Sequence, residues 1–263
     1  MFSEPFMQKA LVSGIVAAAG CGYLGIFVIW RRIVFLSVAL SEVAALGVAA
    51  GLFLGVAPAL PAFLLTGTVT LILWKTLEGQ RVFSEAVVGF IYAFAAASSV
   101  LLIAKNPLAE AHGIDLLSGN ILYVSTADVI IMATVISVVL LCQIIFQKEF
   151  IAVTLDPEFT FTLGTPVALW NFVFFACLGI VIGLTMKNCG LLFVFSSLII
   201  PPLTGLWLTV RIRQSILVSV VTSLVCVISG LAASWRFDLP SGPTIVVFYG
   251  ICFFLAVLVS LWK

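Results

Sequence analysis

The charged residues of this chain fall in clusters, and long apolar runs separate the clusters. A helix needs about 20 apolar residues to cross the roughly 30 Å hydrocarbon core of a bilayer. The run 33–74 is too long for one helix, and its break between Gly55 and Pro61 divides it into two. Seven further runs predict one helix each: 10–30, 86–104, 129–147, 167–186, 188–210, 214–235 and 243–262. The pattern therefore predicts nine crossings, or eight if one segment is re-entrant.

The composition excludes the water-soluble classes of protein. Hydrophobic residues make up 63% of the chain and charged residues only 9%, whereas an average soluble domain has about 45–50% and about 25%. A soluble chain of 263 residues could not cover so much apolar surface. The net charge of +1 provides no field that would recruit nucleic acid. We therefore predict an all-α integral membrane protein, with 1–263 forming a single transmembrane domain.

The basic residues predict the orientation in the membrane, because loops on the cytoplasmic side carry the excess of Lys and Arg. Alternation through nine helices places the larger group on one side, which is then cytoplasmic: Arg31, Arg32, Lys75, Arg81, Lys148, Arg211, Arg213 and Lys263. The other side receives Lys9, Lys105, Lys187 and Arg236. The N-terminus is thus expected outside and the C-terminus in the cytoplasm.

Glu42 is the one charged residue within the core of a predicted spanning helix. Arg32 marks the cytoplasmic edge, and the helical rise of 1.5 Å per residue puts Glu42 about 15 Å deep, near the middle of the bilayer. A charged carboxylate there costs about 3 kcal/mol or more. With Ser37 and Ser41, Glu42 forms the most polar patch of the run. Two interpretations remain: a residue on a transport pathway, or a protonated carboxyl bonded to a neighbouring helix.

The same run carries glycines at every fourth position: Gly47, Gly51 and Gly55. Small residues at this spacing allow a second helix to approach closely. We therefore interpret these glycines as a packing surface.

The segment 148–166 is too polar to span the membrane. Asp156, Pro157 and Glu158 predict a helix start, because Pro and acidic residues favour the first turn. Gly164 is a plausible stop before Pro166. This short helix would carry an apolar side from Phe159, Phe161 and Leu163. It is expected either to dock into a soluble partner or to lie as a plain interfacial helix.

The run 188–210 contains two prolines, Pro201 and Pro202, shortly after Ser196 and Ser197. Proline removes helical hydrogen bonds, and nearby hydroxyls can satisfy the freed carbonyls. Interrupted helices of this kind recur at transport sites, although proline kinks also occur in inert membrane helices. The external segment 105–128 holds His112, Glu110 and Asp115, either as a cation site at the mouth or as scattered surface polarity. Phosphate-binding and hydrolase motifs are absent, so we expect no enzymatic activity.

Seven segments, taken in order, resemble the ABC transporter permease family that imports zinc, manganese or iron. They are residues 5–32 with their basic exit, the helix 35–54, Ser84-Glu85-Ala86, the external stretch 115–129, and 153–166 with VTLDPEF and LGTP. LLFVFSSLIIPPLTG at 191–205 and FDLPSGPTIVV at 237–247 complete the resemblance. It implies a polytopic bundle of eight or nine helices with a cytoplasmic coupling helix.

The resemblance also implies the partners. These are a second copy of the chain in a homodimer, one cytoplasmic ABC ATPase per subunit, and an extracytoplasmic substrate-binding protein. ATP would bind the ATPase, so no cofactor is expected on this chain, and no nucleic acid partner is expected. The segment Asp156–Gly164, with Pro157, Glu158 and Phe159, would insert into the ATPase and transmit its closure.

The resemblance is incomplete at the metal ligands. Family members that carry metal typically read D-A-L-S-H in the second helix, where Asp and His share a face and can bind one cation. Here the window reads Val38-Ala39-Leu40-Ser41-Glu42, so Val38 replaces the Asp and Glu42 replaces the His. The implied pathway residues are Glu42, as the one metal ligand, with Val38, Ser37, Ser41, Ser196, Ser197, Pro201 and Pro202. A permease for a small organic or chelated ligand, or a structural subunit without a pathway, stays open as an alternative.

Overall fold

The computed structural model describes residues 5–77, 84–105 and 124–261, and every regular element in these ranges is a helix. The prediction of an all-α protein is therefore confirmed. In chain order the helices are α1 Pro5–Trp30, α2 Val34–Leu54, α3 Ala59–Leu77, α4 Ser84–Ala104, α5 Thr126–Ile145, α6 Gln147–Leu155, α7 Pro157–Thr162, α8 Val167–Cys189, α9 Leu191–Leu208, α10 Ile212–Phe237 and α11 Ser241–Leu261.

Eight of the helices in the described ranges are long and apolar enough to cross a membrane: α1, α2, α4, α5, α8, α9, α10 and α11. The second half of the run 33–74 forms α3. Its apolar part, Ala59–Trp74, is shorter than the eight candidate spans. The division of the run 33–74 is as predicted. Gly55 ends α2 in the left-handed conformation, with φ 68°, and α3 begins shortly after Pro58.

The contacts of α3 run antiparallel along α8. Near its start, Phe63 and Thr66 lie against Gly183, and one turn later Thr70 lies against Gly179. Near its end, the ring of Trp74 lies 5.1 Å from that of Phe172. The protein is thus a multi-pass bundle whose described ranges hold eight candidate spans, with α3 packed lengthwise beside α8.

Two helices occupy the centre of this bundle. In both α1 and α2, 72% of the most apolar stretch is buried by protein, against 17% in α4 and 28% in α5 and α11. The outer helices therefore present their apolar side chains outward, where lipid or another protein can cover them. The helix that carries Glu42 lies inside the bundle.

The glycine surface of α2 is a packing surface, as predicted. A Cβ on Gly47 would lie 2.8 Å from the backbone nitrogen of Ala62, and one on Gly51 would lie 2.7 Å from the Cα of Pro58. Real Cβ atoms do not approach backbone so closely, so glycine is required where α2 meets the start of α3. Gly55 has no neighbour within 4 Å and serves as the end of α2 instead.

Four of the basic residues that were predicted to share a side of the membrane lie at one end of the bundle: Arg31, Lys148, Arg211 and Arg213. Arg31 bonds to Thr154 of α6, and Lys148 of α6 lines a cleft of about 720 Å³ with Arg211 and Arg213. At the opposite ends of their helices, Lys187 pairs with Asp128 at 2.6 Å. The contacts therefore agree with the predicted grouping of these residues.

The segment 148–166 contains more helix than the sequence predicted. A separate helix, α6, precedes Asp156, and its side chains Phe150 and Val153 are buried. Their spacing of three residues places both on one face, which packs against the bundle. The sequence predicted only the helix that begins at Asp156, and α6 is an addition to it. The predicted site residues Glu110, His112 and Asp115 lie outside the described residues.

Replacing Gly47 with alanine is expected to destabilise the bundle, because the new Cβ would overlap the Ala62 backbone and force α2 away from α3. Overpacking of this kind costs about 1–3 kcal/mol. Thermal unfolding of the purified protein in detergent measures the loss. Gly67→Ala is the matched control, since Gly67 is a helical glycine with nothing within 4 Å. If the two variants are equally stable, α2 and α3 are not in the contact described.

Candidate functional site

Glu42 occupies the middle of the only accessible face in the central part of α2. Between residues 35 and 51, the side chains that keep access to solvent are Phe35, Val38, Leu46 and Ala50. Their spacing of three or four residues places them on one helix face, and Glu42 lies one turn after Val38 and one turn before Leu46. We call Phe35, Val38, Glu42, Leu46 and Ala50 the accessible face of α2.

The carboxyl group of Glu42 is enclosed but has no protein partner in the described part of the chain. The residue is 9% exposed, and it forms no hydrogen bond or ion pair with the described residues. The nearby hydroxyls bond to their own helix instead. Ser37 donates to the Val34 carbonyl at 2.7 Å, and Ser41 donates to the Ser37 carbonyl at 2.8 Å. Neither hydroxyl therefore donates to the Glu42 carboxylate.

This carboxyl lies deep in the bundle. Since α2 starts at Val34, Glu42 is about 12 Å along the helix axis from its predicted cytoplasmic end. In the described ranges, no group of three or more His, Cys, Asp or Glu side chains could hold a metal ion. Among the described residues, Glu42 therefore belongs to no cluster of three metal-ligating side chains.

The two prolines of the predicted interrupted helix lie in a continuous helix, α9. They remove the donors that would reach the carbonyls of Ser197 and Leu198. The neighbouring hydroxyls serve other carbonyls: Ser196 donates to Leu192 at 2.6 Å, and Thr204 donates to Ile200 at 2.9 Å. The expectation that these hydroxyls satisfy the freed carbonyls was therefore wrong. The Leu198 carbonyl and Pro202 instead lie against Gly25 of α1, where the backbones approach closely.

Ser197 belongs to a buried hydrogen-bond network rather than to an open surface. Its hydroxyl lies 3.0 Å from that of Tyr249, which also lies 3.3 Å from the hydroxyl of Ser223. All three side chains are buried, and the network joins α9, α10 and α11. Pro201 and Pro202 are buried as well. α2 and α9 pack against each other.

The short helix α7 begins as the sequence predicted. Asp156 is its N-cap, and one carboxylate oxygen accepts a hydrogen bond from the backbone N–H of Phe159 at 2.9 Å. Pro157 and Glu158 follow in the first turn, and Gly164 adopts φ 81° just beyond the end. The apolar side chains are unpartnered, with exposures of 61% for Phe159, 71% for Phe161 and 67% for Leu163. Such exposed apolar residues on a polar surface are typical of a protein–protein contact.

Arg31 connects α6, the helix that precedes α7, to the bundle. The sequence alone did not predict this contact. Its guanidinium Nε donates to the Thr154 hydroxyl at 3.0 Å, and Nη1 donates to the Asn171 side-chain oxygen at 2.7 Å. The same group lies 4.1 Å from the centre of the Phe174 ring. The one hint in the sequence is Asn171, a polar residue in the run 167–186.

Comparison with known proteins agrees with this architecture. The sequence model of the ABC 3 transport family matches residues 3–260. The chain belongs to the ABC 3 transport family. The resemblance to zinc-, manganese- and iron-type permeases is thereby confirmed, and the chain is a multi-pass membrane protein.

Membrane proteins of metal transport systems are similar to this chain along nearly the whole length of both sequences. The chain is 27% identical to the manganese transport system membrane protein MntC of Halalkalibacterium halodurans, over 97% of this chain and 88% of that protein. It is 28% identical to the high-affinity zinc uptake system membrane protein ZnuB of Haemophilus influenzae, over 94% and 95%. A chain of PsaBC from Streptococcus pneumoniae, solved in complex with a Fab, shares the fold with a TM-score of 0.84 and 24% identity, over 96% and 91%.

Proposed function

We propose that this chain is the permease subunit of an ABC importer for a divalent transition-metal ion, with 1–263 acting as one transmembrane domain in the cell membrane. The observation that carries the proposal is the carboxyl of Glu42, which is enclosed at mid-helix on the accessible face of α2 and lacks a protein partner among the described residues. A carboxylate is expensive to place in a membrane without a partner. A passing cation provides that partner.

The accessible face of α2 also supports a homodimer. The residues beside Glu42 on this face, Val38, Leu46 and Ala50, are apolar and only partly buried. All other residues of α2 from 36 to 51 are buried by the rest of the bundle. A second copy placed against this face would enclose a path lined by Val38 and Glu42, whereas Ser37 and Ser41 are buried behind it. Ser196, Ser197, Pro201 and Pro202 of α9 would flank the path from the packed side. Such an isologous contact is the commonest arrangement of two identical subunits.

The donor chemistry indicates which metal fits best. Carboxylate and water oxygens suit manganese, whereas imidazole and thiolate ligands suit zinc. Glu42 stands where the related metal carriers place His, so the nitrogen donor is replaced by oxygen. We therefore propose manganese as the preferred cargo of the three metals. The single donor also suits a chelated metal, which is the second candidate cargo.

A cytoplasmic ATPase that binds and hydrolyses ATP would supply the free energy for transport. An extracytoplasmic binding protein would deliver the metal to the permease. The exposed side chains of α7, Phe159 and Phe161, with Leu163 just beyond, form the apolar patch that an ATPase cleft would cover. This patch follows α6, which lies at the same end of the bundle as Arg31, Arg211 and Arg213. The excess of basic residues predicts that this end and the C-terminus are cytoplasmic.

Glu42→Gln is expected to lower metal uptake in cells or proteoliposomes that contain the full transporter. The amide keeps the size of the side chain but removes its charge, and a contact worth more than about 1.4 kcal/mol lowers affinity by more than about tenfold. Uptake of radioactive or isotopically labelled manganese, zinc and iron is measured separately, with the largest loss expected for manganese.

Asp238→Asn is the matched control, because it makes the same chemical change at an exposed position just beyond α10, outside the spanning helices. Uptake of all three metals at the original rates in Glu42→Gln would remove Glu42 from the pathway. Uptake of a metal chelate alone by the original protein would replace the free ion with the chelated cargo.

Replacing both Phe159 and Leu163 with alanine is expected to release the ATPase. Buried aromatic anchors in protein interfaces contribute about 2 kcal/mol or more, so the double variant should lose most of the ATPase that co-purifies in detergent. Phe237→Ala is the control, since Phe237 is 66% exposed but lies at the opposite end of the bundle. Retention of the ATPase by the double variant would show that α7 is not its docking site.

A further inference from the structure

We propose that Arg31 is the positioning residue that transmits movement of α6 and α7 to the start of α2, and so to Glu42. The proposal rests on the proposed function, because it takes α7 as the docking site of an ATPase. It goes further by naming the side chain through which docking reaches the pathway.

Arg31 joins three separate parts of the fold through one rigid group. Nε bonds to Thr154 near the end of α6, Nη1 bonds to Asn171 in the first turns of α8, and the guanidinium plane lies over Phe174. The residue itself follows the last turn of α1, with its backbone N–H bonded to the Phe27 carbonyl at 2.9 Å. A guanidinium is planar, so these three contacts constrain one another.

The aromatic residues beneath Arg31 make the same connection by packing. Phe150 of α6 lies against Phe27 of α1, at 6.5 Å between ring centres, and against Trp170 of α8, at 5.3 Å. Phe27 also lies 6.2 Å from Phe174. Phe150 and Phe27 are fully buried. α6 is therefore held against the bundle by a packed cluster, and Arg31 provides a directional bond at its edge.

The chain between Arg31 and α2 is short and hydrogen-bonded. The N–H of Arg32 bonds to the Ile29 carbonyl and that of Ile33 to the Val28 carbonyl, both at 3.0 Å. Arg32 adopts φ 58°, the left-handed conformation of a tight turn. A displacement of Arg31 is therefore passed to Val34, and the rigid helix α2 carries it about 12 Å onward to Glu42.

On the other side, Thr154 lies close to the docking segment. α6 ends at Leu155, and Asp156 immediately caps α7. Thr160 of α7 is buried, and its hydroxyl donates to the Asp156 carbonyl at 2.7 Å. A force on α7 therefore reaches the Thr154 hydroxyl through one short, hydrogen-bonded connection.

Within the described part of the chain, one nitrogen of the Arg31 guanidinium is unpaired. Its Nη2 is enclosed by protein and has no hydrogen-bond partner among the described residues. Burial lowers the pKa of Arg31 to about 10, so the group keeps its charge at neutral pH. An enclosed charged donor without a partner is costly. In the proposed relay, a shift of α6 relative to α8 changes the bonds of Nε and Nη1, which reach these two helices.

The test measures metal transported and ATP hydrolysed by the assembled transporter in proteoliposomes, together with the amount of ATPase that co-purifies. Thr154→Val removes one bond of Arg31 while keeping its size, and Arg31→Lys keeps the charge but loses the planar fork. Both variants should retain the ATPase and hydrolyse ATP, while metal transported per ATP falls by about tenfold, a typical allosteric coupling. Arg32→Lys is the matched control: it is the neighbouring, exposed arginine, and it should transport as the original protein does.

The combination of Arg31→Lys with Thr154→Val identifies the bond. If the two side chains act through the same contact, the double variant transports no less per ATP than Arg31→Lys alone. Unchanged transport per ATP in both single variants would overturn the proposal, even though the ATPase docks. Loss of ATPase binding in Thr154→Val would also overturn it, since Arg31 would then serve assembly. If the Phe159 and Leu163 double variant keeps its ATPase, the proposed function has failed instead.

Discussion

The cost of an unpaired charge in hydrocarbon is the constraint on which this structure depends. It confines the charged residues to helix ends and loops, and it leaves every spanning helix to satisfy its own backbone. Where the rule is broken, at Glu42, the residue is 9% exposed and lies in a central helix. Under the proposed function, the same cost favours a cation beside the carboxylate.

Close contact between helix backbones is the second requirement of this structure. Lipid provides no hydrophobic force between helices, so packing has to hold the bundle together. Gly47 and Gly51 bring α2 against α3, and Gly25 brings α1 against the proline-containing part of α9. α1 and α2 therefore sit at the centre, joined by the short turn at Arg31 and Arg32. A bundle with such contacts transmits small displacements as rigid-body movements, because its packed faces cannot deform continuously.

Particular residues show which features of the fold a local sequence pattern predicts and which it does not. The start of α7 followed from Asp156 and Pro157, and the division of α2 from α3 followed from Gly55, since capping and proline geometry are local properties. The helix α6 was missed because it is only nine residues long, and its sequence does not show that Phe150 and Val153 are the side chains it buries. Ser197 was placed on a pathway, yet its hydroxyl lies in a buried network with Tyr249, a partner 52 residues away.

The sequence by itself determined the class of protein, the positions of the spanning helices, the exceptional place of Glu42 and the family, because hydropathy and short motifs are written along the chain. Only the tertiary structure decided which face of α2 stays accessible, that the carboxyl of Glu42 lacks a partner among the described residues, and that Arg31 bonds to residues 123 and 140 positions away. These facts depend on how helices distant in sequence pack together, and no local pattern encodes that packing.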